Sequence, residues 1–438
     1  MQTAPPAAAG RPRAQALRLA APLCTAGLFF HAAFVPVSVA AMQIGLGVAA
    51  AGLACAFAGG WRPSRTPLDL PLLGLAGFAL LSDALSPYGF PSLASATLWR
   101  SGLGFWIVAQ ALALAPEPGR RAQDLVLAAA AGLSIASAVG VVQYFTAVDI
   151  VFRLGLRSEP AMVEAPGVTG HYGAMGFFTS RLTFGHNASA IVALLLGACL
   201  AGALRGGRRR AALAAAVLGL AAVLLTFDRA AWGGLVAAAL CMLLALPGRV
   251  PARALRLRAA AGLGLVLALG AAAALPGVRA RVASGFDLRG NADRVFLWAR
   301  AREIIRDHPL LGVGFGNYPR ICDRYYDRVD PAFPMRTWAH NSELSLLAEM
   351  GPLGLLAGAL VAAAALAALA RRLREDPHGL ALGGLGALVA IGVIAQVHDL
   401  LYDTKVMYAL WLALAAALAP GLRQRAGAGG ATHGAPSA

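Results

Sequence analysis

The densest chemistry in the sequence lies between about residues 276 and 351. Eleven arginines (Arg279 through Arg336) mix there with nine acidic residues and with Trp298, Tyr318, Tyr325, Tyr326 and Trp338. Planar arginine forks bind phosphate oxygens two at a time. Near the end of the segment, His340-Asn341-Ser342 opens a helical run, Glu343 to Met350, that Gly351-Pro352 stops. Asn341 or Ser342 would cap it. A histidine beside the positive end of a helix dipole favours its neutral imidazole, which can accept a proton. On these residues alone, a structural or interfacial histidine is the plainer reading. Gly312-Val-Gly-Phe-Gly316-Asn317 reads as a tight turn, with a phosphate-cradling nest as the lesser alternative. It is not a dinucleotide fingerprint, because no strand precedes it and the spacing is wrong. No DxD or comparable carboxylate cluster offers a divalent-metal site. The five cysteines (Cys24, Cys55, Cys199, Cys241, Cys322) have neither metal spacing nor a disulfide framework, and Cys322 is expected outside the membrane as a free thiol. Asn187-Ala-Ser189 matches a glycosylation sequon by chance.

Composition identifies the scaffold that must position these groups. The 438 residues are 58% hydrophobic and 13% charged, with a mean hydropathy of +0.66. A soluble protein carries roughly 25% charged residues, and a soluble helical bundle would need a polar stripe on each helix. Neither is present. Apolar residues come instead in blocks near the roughly 20 needed to cross a bilayer, rich in the Ala and Gly that let helix backbones approach closely. Twelve spans are expected. The first six are Ala16–Pro36, Ser38–Ala58, Leu68–Leu85, Leu93–Ala115, Asp124–Ala147 and Asn187–Leu204. The rest are Ala211–Phe227, Ala230–Leu246, Ala259–Leu275, Pro352–Ala370, Leu380–Val397 and Val406–Pro420. The fold class is therefore all-α, a polytopic membrane bundle with a long helical extracytoplasmic loop. It forms one transmembrane domain over residues 16–420, with outside loops at about 148–186 and 276–351. The tails 1–15 and 421–438 read as disordered, and nothing at the N-terminus reads as a cleaved signal.

Orientation follows from the basic residues. If the N-terminus is cytoplasmic, the inside segments collect Arg11, Arg13, Arg18, Arg62, Arg65, Arg120 and Arg121, then clusters at 205–210, 249–258, 371–374 and 423–425. The short outside turns near Phe34 and Tyr88 carry none, so both termini are assigned to the cytoplasm. Much of the net charge of +16 is then topology signal facing anionic lipid, and no nucleic-acid partner is implied. The 276–351 loop is too long to be a connector and reads as a folded lid. Within it, Arg294 to Asp307 has apolar residues at 297, 298, 301, 304 and 305, the period of an amphipathic helix. Asn291 is expected to cap it, His308-Pro309 to end it, and the bilayer surface to receive its apolar face.

Four segments carry a resemblance: Arg181 to Asn187 (RLTFGHN), Leu224 to Trp232 (LLTFDRAAW), Asp293 to Pro319 and His340 to Gly354 (HNSELSLLAEMGPLG). In order and placement they resemble the O-antigen ligase and polymerase superfamily of membrane glycosyltransferases, over roughly residues 180–360. The fold this implies is GT-C-like. One departure is Asp228, where the family commonly has Ser; an Asp there could hold Arg229 by a salt bridge while adding negative charge to an anion site. The resemblance implies a glycan moved from an undecaprenyl-diphosphate donor to an acceptor on the periplasmic face of the bacterial inner membrane. It implies that Arg229, Arg294 and His340 are the functional positions: the arginines bind the diphosphate, and His340 is the catalytic base. No cofactor is implied.

Arg181 is a further candidate phosphate ligand. Asp399 and Asp403, in the turn HisAspLeuLeuTyrAsp, could orient His340 or hold an Arg. Arg100, near the outer end of a span, is either functional or snorkelling to the interface. The favoured activity is ligation of O-antigen to lipid A–core, inverting and metal-independent. An O-antigen or exopolysaccharide polymerase, or an O-linked protein oligosaccharyltransferase, would use the same donor. A flippase or transporter is disfavoured, because its mid-membrane ionisable residues and paired broken helices are not seen.

Overall fold

The alternation of apolar blocks with Arg- and Pro-bearing breaks becomes an alternation of helices and turns. The computed structural model describes residues 11–89, 96–165, 168–245, 276–283, 292–326 and 338–422. Among them no strand forms, and a single isolated bridge joins Glu164 to Tyr172. Helices of eight or more residues are numbered here. They are α1 Arg11–Phe34, α2 Val39–Ala58, α3 Asp69–Leu85, α4 Ala96–Leu114, α5 Pro118–Thr146, α6 Arg181–Ala201 and α7 Gly206–Leu224. There follow α8 Arg229–Ala245, α9 Pro276–Ala283, α10 Ala292–Asp307, α11 Ser342–Glu375, α12 Ala381–Ala395 and α13 Thr404–Leu418. Among the described residues, six (α1, α2, α5, α6, α11 and the α13 region) are long and apolar enough to cross a membrane; parts of α4, α8 and α12 are shorter apolar helices. The expected span Ala259–Leu275 and both tails lie outside the described residues.

Side-chain caps mark several starts. The Ser38 hydroxyl accepts the Ala41 N–H, Ser180 accepts Leu182, Asn341 accepts Leu344 and Asp403 accepts Lys405, each satisfying an N–H that the helix itself leaves unpaired. α6 and α13 form the buried centre of the bundle, while apolar residues such as Leu70, Val217 and Leu244 point outward, as a lipid-facing surface requires. Backbones meet closely where side chains vanish: a Cβ on Gly197 of α6 would lie 2.3 Å from Gly383 Cα of α12.

Two features differ from the sequence expectation. The first outside loop ends at Ser180 rather than near 186, so His186 lies inside α6. The lid helix α10 does not spend its apolar face on a bilayer. Leu297, Ala301 and Ile304 are buried against Val313, Tyr318, Ile321, Ala339 and Ala348, a small core belonging to the lid and to α11. The expected stop at Gly351 is present: Gly351 leaves the helical conformation with φ 65° and ψ −170°, and a second helical segment of α11 begins at Pro352. Asn291 lies outside the described residues.

Candidate active site

The site is built on two tight backbone turns. In the first, between α7 and α8, Phe227 takes a left-handed φ of 54°. Asp228 follows it and accepts the Ala230 N–H at 3.0 Å. The turn's carbonyls face arginines. Arg181, the first residue of α6, donates from Nη1 to the Thr226 carbonyl at 2.5 Å, and Arg281 of α9 donates from Nε to the Phe227 carbonyl at 3.1 Å. Gly173 leaves room for the Arg181 stem, since a Cβ there would sit 2.6 Å from its Cδ. Arg229 opens α8 one residue further on. Burial, the adjacent Arg229 and Arg181, and a partial counterweight from Asp228 together lower the Arg281 pKa. Three guanidinium groups therefore sit close enough to feel one another, the arrangement expected of an oxyanion site.

In the second turn, His340 also takes a left-handed conformation, with φ 52°. Asp399, between α12 and α13, holds it there by accepting the His340 N–H at 2.5 Å; it also accepts the Ser345 hydroxyl. The His340 Nδ1 lies 4.0 Å from the same carboxylate. Ser342 and Asn341 tie the start of α11 to the carbonyls of His398 and Gln396 at 2.8 Å each. Burial, and then the positive charge of Arg294 on α10, depress His340 to about 4, so the imidazole is neutral at pH 7. The direction is the one the sequence leads one to expect, with burial and Arg294 as its causes. Burial pushes Asp399 up to about 6, against the pull of Ser345, the His340 N–H and Arg294.

A buried triad joins the two turns. His186 Nε2 is 2.7 Å from one Asp228 oxygen, and His398 Nε2 is 3.9 Å from the other. The two rings are 4.4 Å apart, and His398 meets the His340 ring nearly edge-on at 6.1 Å. Burial pushes the Asp228 carboxyl up, but the adjoining His186 and His398 rings and the Ala230 N–H outweigh it and hold the group below the usual carboxylate range. Among the described residues, His186, Asp228 and His398 form a donor set, all within 4.8 Å, that could hold a metal ion. The surrounding charge opposes one: Arg181 and Arg281 act on Asp228, and Arg294 acts on His398. The arrangement is better explained as a counter-ion set among guanidinium groups.

The structure thus gathers Arg294, His340 and Asp399 at one turn and Arg181 and Arg229 at the other, with Asp228 between. Asp403 does not join them; it accepts the Thr183 hydroxyl at 2.8 Å and caps α13. The Arg100 side chain lies outside the described residues. His186, His398 and Arg281 belong to this cluster and were not among the residues the sequence singled out. His186 and His398 fall within segments already singled out, and His186 would have stood out as an intramembrane ionisable residue had α6 been started at Ser180. No curated protein matches the chain. Residues 214–359 match the family model described as O-Antigen ligase. That stretch contains Asp228, Arg229, Arg281, Arg294 and His340, and it supports placing the chain in the O-antigen ligase superfamily.

Proposed function

We propose that this protein transfers O-antigen polysaccharide from undecaprenyl diphosphate to the lipid A–core oligosaccharide on the periplasmic face of the inner membrane. The observation that carries the reading is the linked group of one neutral imidazole and guanidinium groups from four elements: Arg181, Arg229, Arg281 and Arg294. His340 takes the proton of the acceptor hydroxyl as its oxygen attacks the anomeric carbon. The bond to the lipid diphosphate breaks on the opposite side of that carbon, inverting its configuration. Negative charge gathering on the departing diphosphate is met by the arginine forks, which act on the transition state more than on the ground state. The donor's lipid tail has room beside this group. An apolar cleft of about 690 Å³ between α3, α4, α11, α12 and α13 is lined by Leu72, Trp106, Met407 and Trp411 and reaches Ser342, two residues past His340.

The test is a deletion strain complemented with wild type or with His340→Ala, its lipopolysaccharide resolved on a gel. A bare core with accumulated lipid-linked polymer, restored by wild type and not by the variant, supports ligation. A core bearing one repeat unit would mean a polymerase, and full rescue by His340→Ala would remove the histidine from the mechanism. Because arginines take the electrophilic role, purified enzyme is expected to turn over in chelator. Activity lost with chelator and restored by magnesium or manganese would refute that part of the reading.

A further inference from the structure

The glycine-rich turn of the lid, Gly312 to Asn317, has the shape of an anion nest, and the chain fills it with its own carboxyls. Gly312, Gly314 and Gly316 take left-handed φ of 66°, 91° and 86°, and Val313 and Phe315 between them do not. Such alternation turns successive N–H groups toward one concavity, as in nests that cradle phosphate. Here the N–H groups are engaged by protein. Glu349 of α11 accepts the Tyr318 N–H at Oε1, 2.9 Å away, and its carboxyl also takes the Gly316 N–H. Asp83 of α3 accepts the N–H of Phe315. The backbone of α11 takes two more: Val313 donates to the Ala348 carbonyl at 3.0 Å and Gly314 to that of Glu349 at 2.8 Å. The approach is so close that a Cβ on Gly312 would stand 2.3 Å from the Glu349 carbonyl carbon.

Glu349 is fully buried, in the short stretch of α11 between His340 and the break at Gly351. The turn it holds is also part of the lid's small core, where Val313 and Tyr318 pack with Leu297, Ala301 and Ile304 of α10. α10 bears Arg294, whose positive charge acts on both His340 and Asp399. Asn317 fastens the turn from its other side, donating from Nδ2 to the Gly89 and Val313 carbonyls at 3.0 Å each. Hydrogen bonds to a carboxyl are strongest where water is excluded, so the Glu349 contacts form a firm link between the helix that follows His340 and the helix that carries Arg294.

We propose that Glu349 is a positioning residue of the transfer reaction: by filling the 312–317 nest it sets α10, and with it Arg294, against His340. The inference rests on the roles proposed above for His340 and Arg294.

The experiment uses the full chain purified in detergent, with melting curves to confirm folding and transfer to lipid A–core measured at saturating undecaprenyl-diphosphate-linked O-antigen. Glu349→Ala is expected to slow transfer roughly 10–10²-fold, the cost of a catalytic group displaced by about 1 Å. Glu349→Gln keeps an accepting oxygen and is expected to recover most of that loss. A residue that acts through Arg294 costs nothing further once Arg294 is gone. In a double-mutant cycle, Glu349→Ala combined with Arg294→Ala should therefore transfer within about twofold of Arg294→Ala alone. If Glu349→Ala does not fold, Asn317→Ala, which loosens the same turn, takes its place in the cycle. Losses that multiply, with Arg294→Ala itself defective, would overturn the positioning role and leave the reaction standing. A folded Glu349→Ala at the wild-type rate would do the same. Arg294→Ala at the wild-type rate would overturn both the positioning role and the part proposed for that arginine.

Discussion

Asp399 and His340 are displaced in opposite directions, and the signs predict different things for folding and for catalysis. Folded Asp399 titrates near 6, above the ordinary 3.8, so its contribution to stability is present at low pH and lost as pH rises through about 6. Folded His340 titrates near 4, below the ordinary 6.5, so its contribution is present above that range and lost as pH falls toward about 4. The two oppose each other between about 4 and 6, and the pair should leave folding nearly pH-insensitive there. Catalysis has no such cancellation. In the proposed reaction, transfer needs neutral His340 held by ionised Asp399, so the rate should fall as pH drops through about 6. Asp399→Asn should be slower but should lose that limb, leaving a fall nearer 4; an unmoved limb in the pH–rate profile would exclude Asp399 as its origin. The arginines call for a different test. Arg229→Lys and Arg294→Lys keep the charge and lose the planar fork, so both should fail nearly as badly as alanine. His340→Ala should keep donor binding while transfer at saturating donor falls roughly 10²–10⁴-fold. Transfer near the wild-type rate would make the histidine structural.

At the level of elements, glycines and prolines made several boundaries legible, whereas partners distant in sequence hid others. Gly351-Pro352 marked a break, and the break is there, because only a residue without a Cβ tolerates φ 65° at that crossing. A Cβ on Gly351 would lie 2.0 Å from the Leu310 carbonyl oxygen. Gly351→Ala should therefore lower stability by about 1–3 kcal/mol and detach the Gly312–Asn317 turn, whose Gly314 N–H donates to the Glu349 carbonyl at 2.8 Å. A melting temperature in detergent unchanged from wild type would contradict this. The start of α6 was not legible. Phe184 to His186 reads as the end of a loop, yet these residues and the following Asn187 are buried. Their polar atoms find partners far along the chain: His186 at Asp228, and Asn187 Nδ2 at the Val35 and Lys405 carbonyls. No local pattern reports such a pairing. The orientation of α10 was missed for a related reason: a helical period shows that one face is apolar, and only the fold shows whether lipid or protein covers it.

Across the whole molecule, one gradient organises both ends. Arg205, Arg208, Arg372 and Arg374 gather at one end of α6 and α11, while Arg181, Arg281, Arg294 and His340 gather at the other with the lid. The insertion rule favours basic residues inside but exempts long translocated loops, so the arginines of the lid do not contradict the topology. On the proposed topology they are basic residues retained where insertion gives no reason for them, which fits the anionic donor of the proposed reaction. The assignment can be tested with two exposed positions of the same chemical type, Arg320 in the lid and Arg374 at the end of α11. Arg320→Cys should react with a membrane-impermeant maleimide in intact spheroplasts, and Arg374→Cys only after lysis, each above the wild-type background. That background should be low, because Cys24, Cys199 and Cys322 are buried and Cys55 and Cys241 half-buried. If Arg374→Cys labels in intact spheroplasts and Arg320→Cys does not, His340 faces the cytoplasm. A base there could not reach an acceptor on the periplasmic leaflet, and the proposed reaction would fall with the topology.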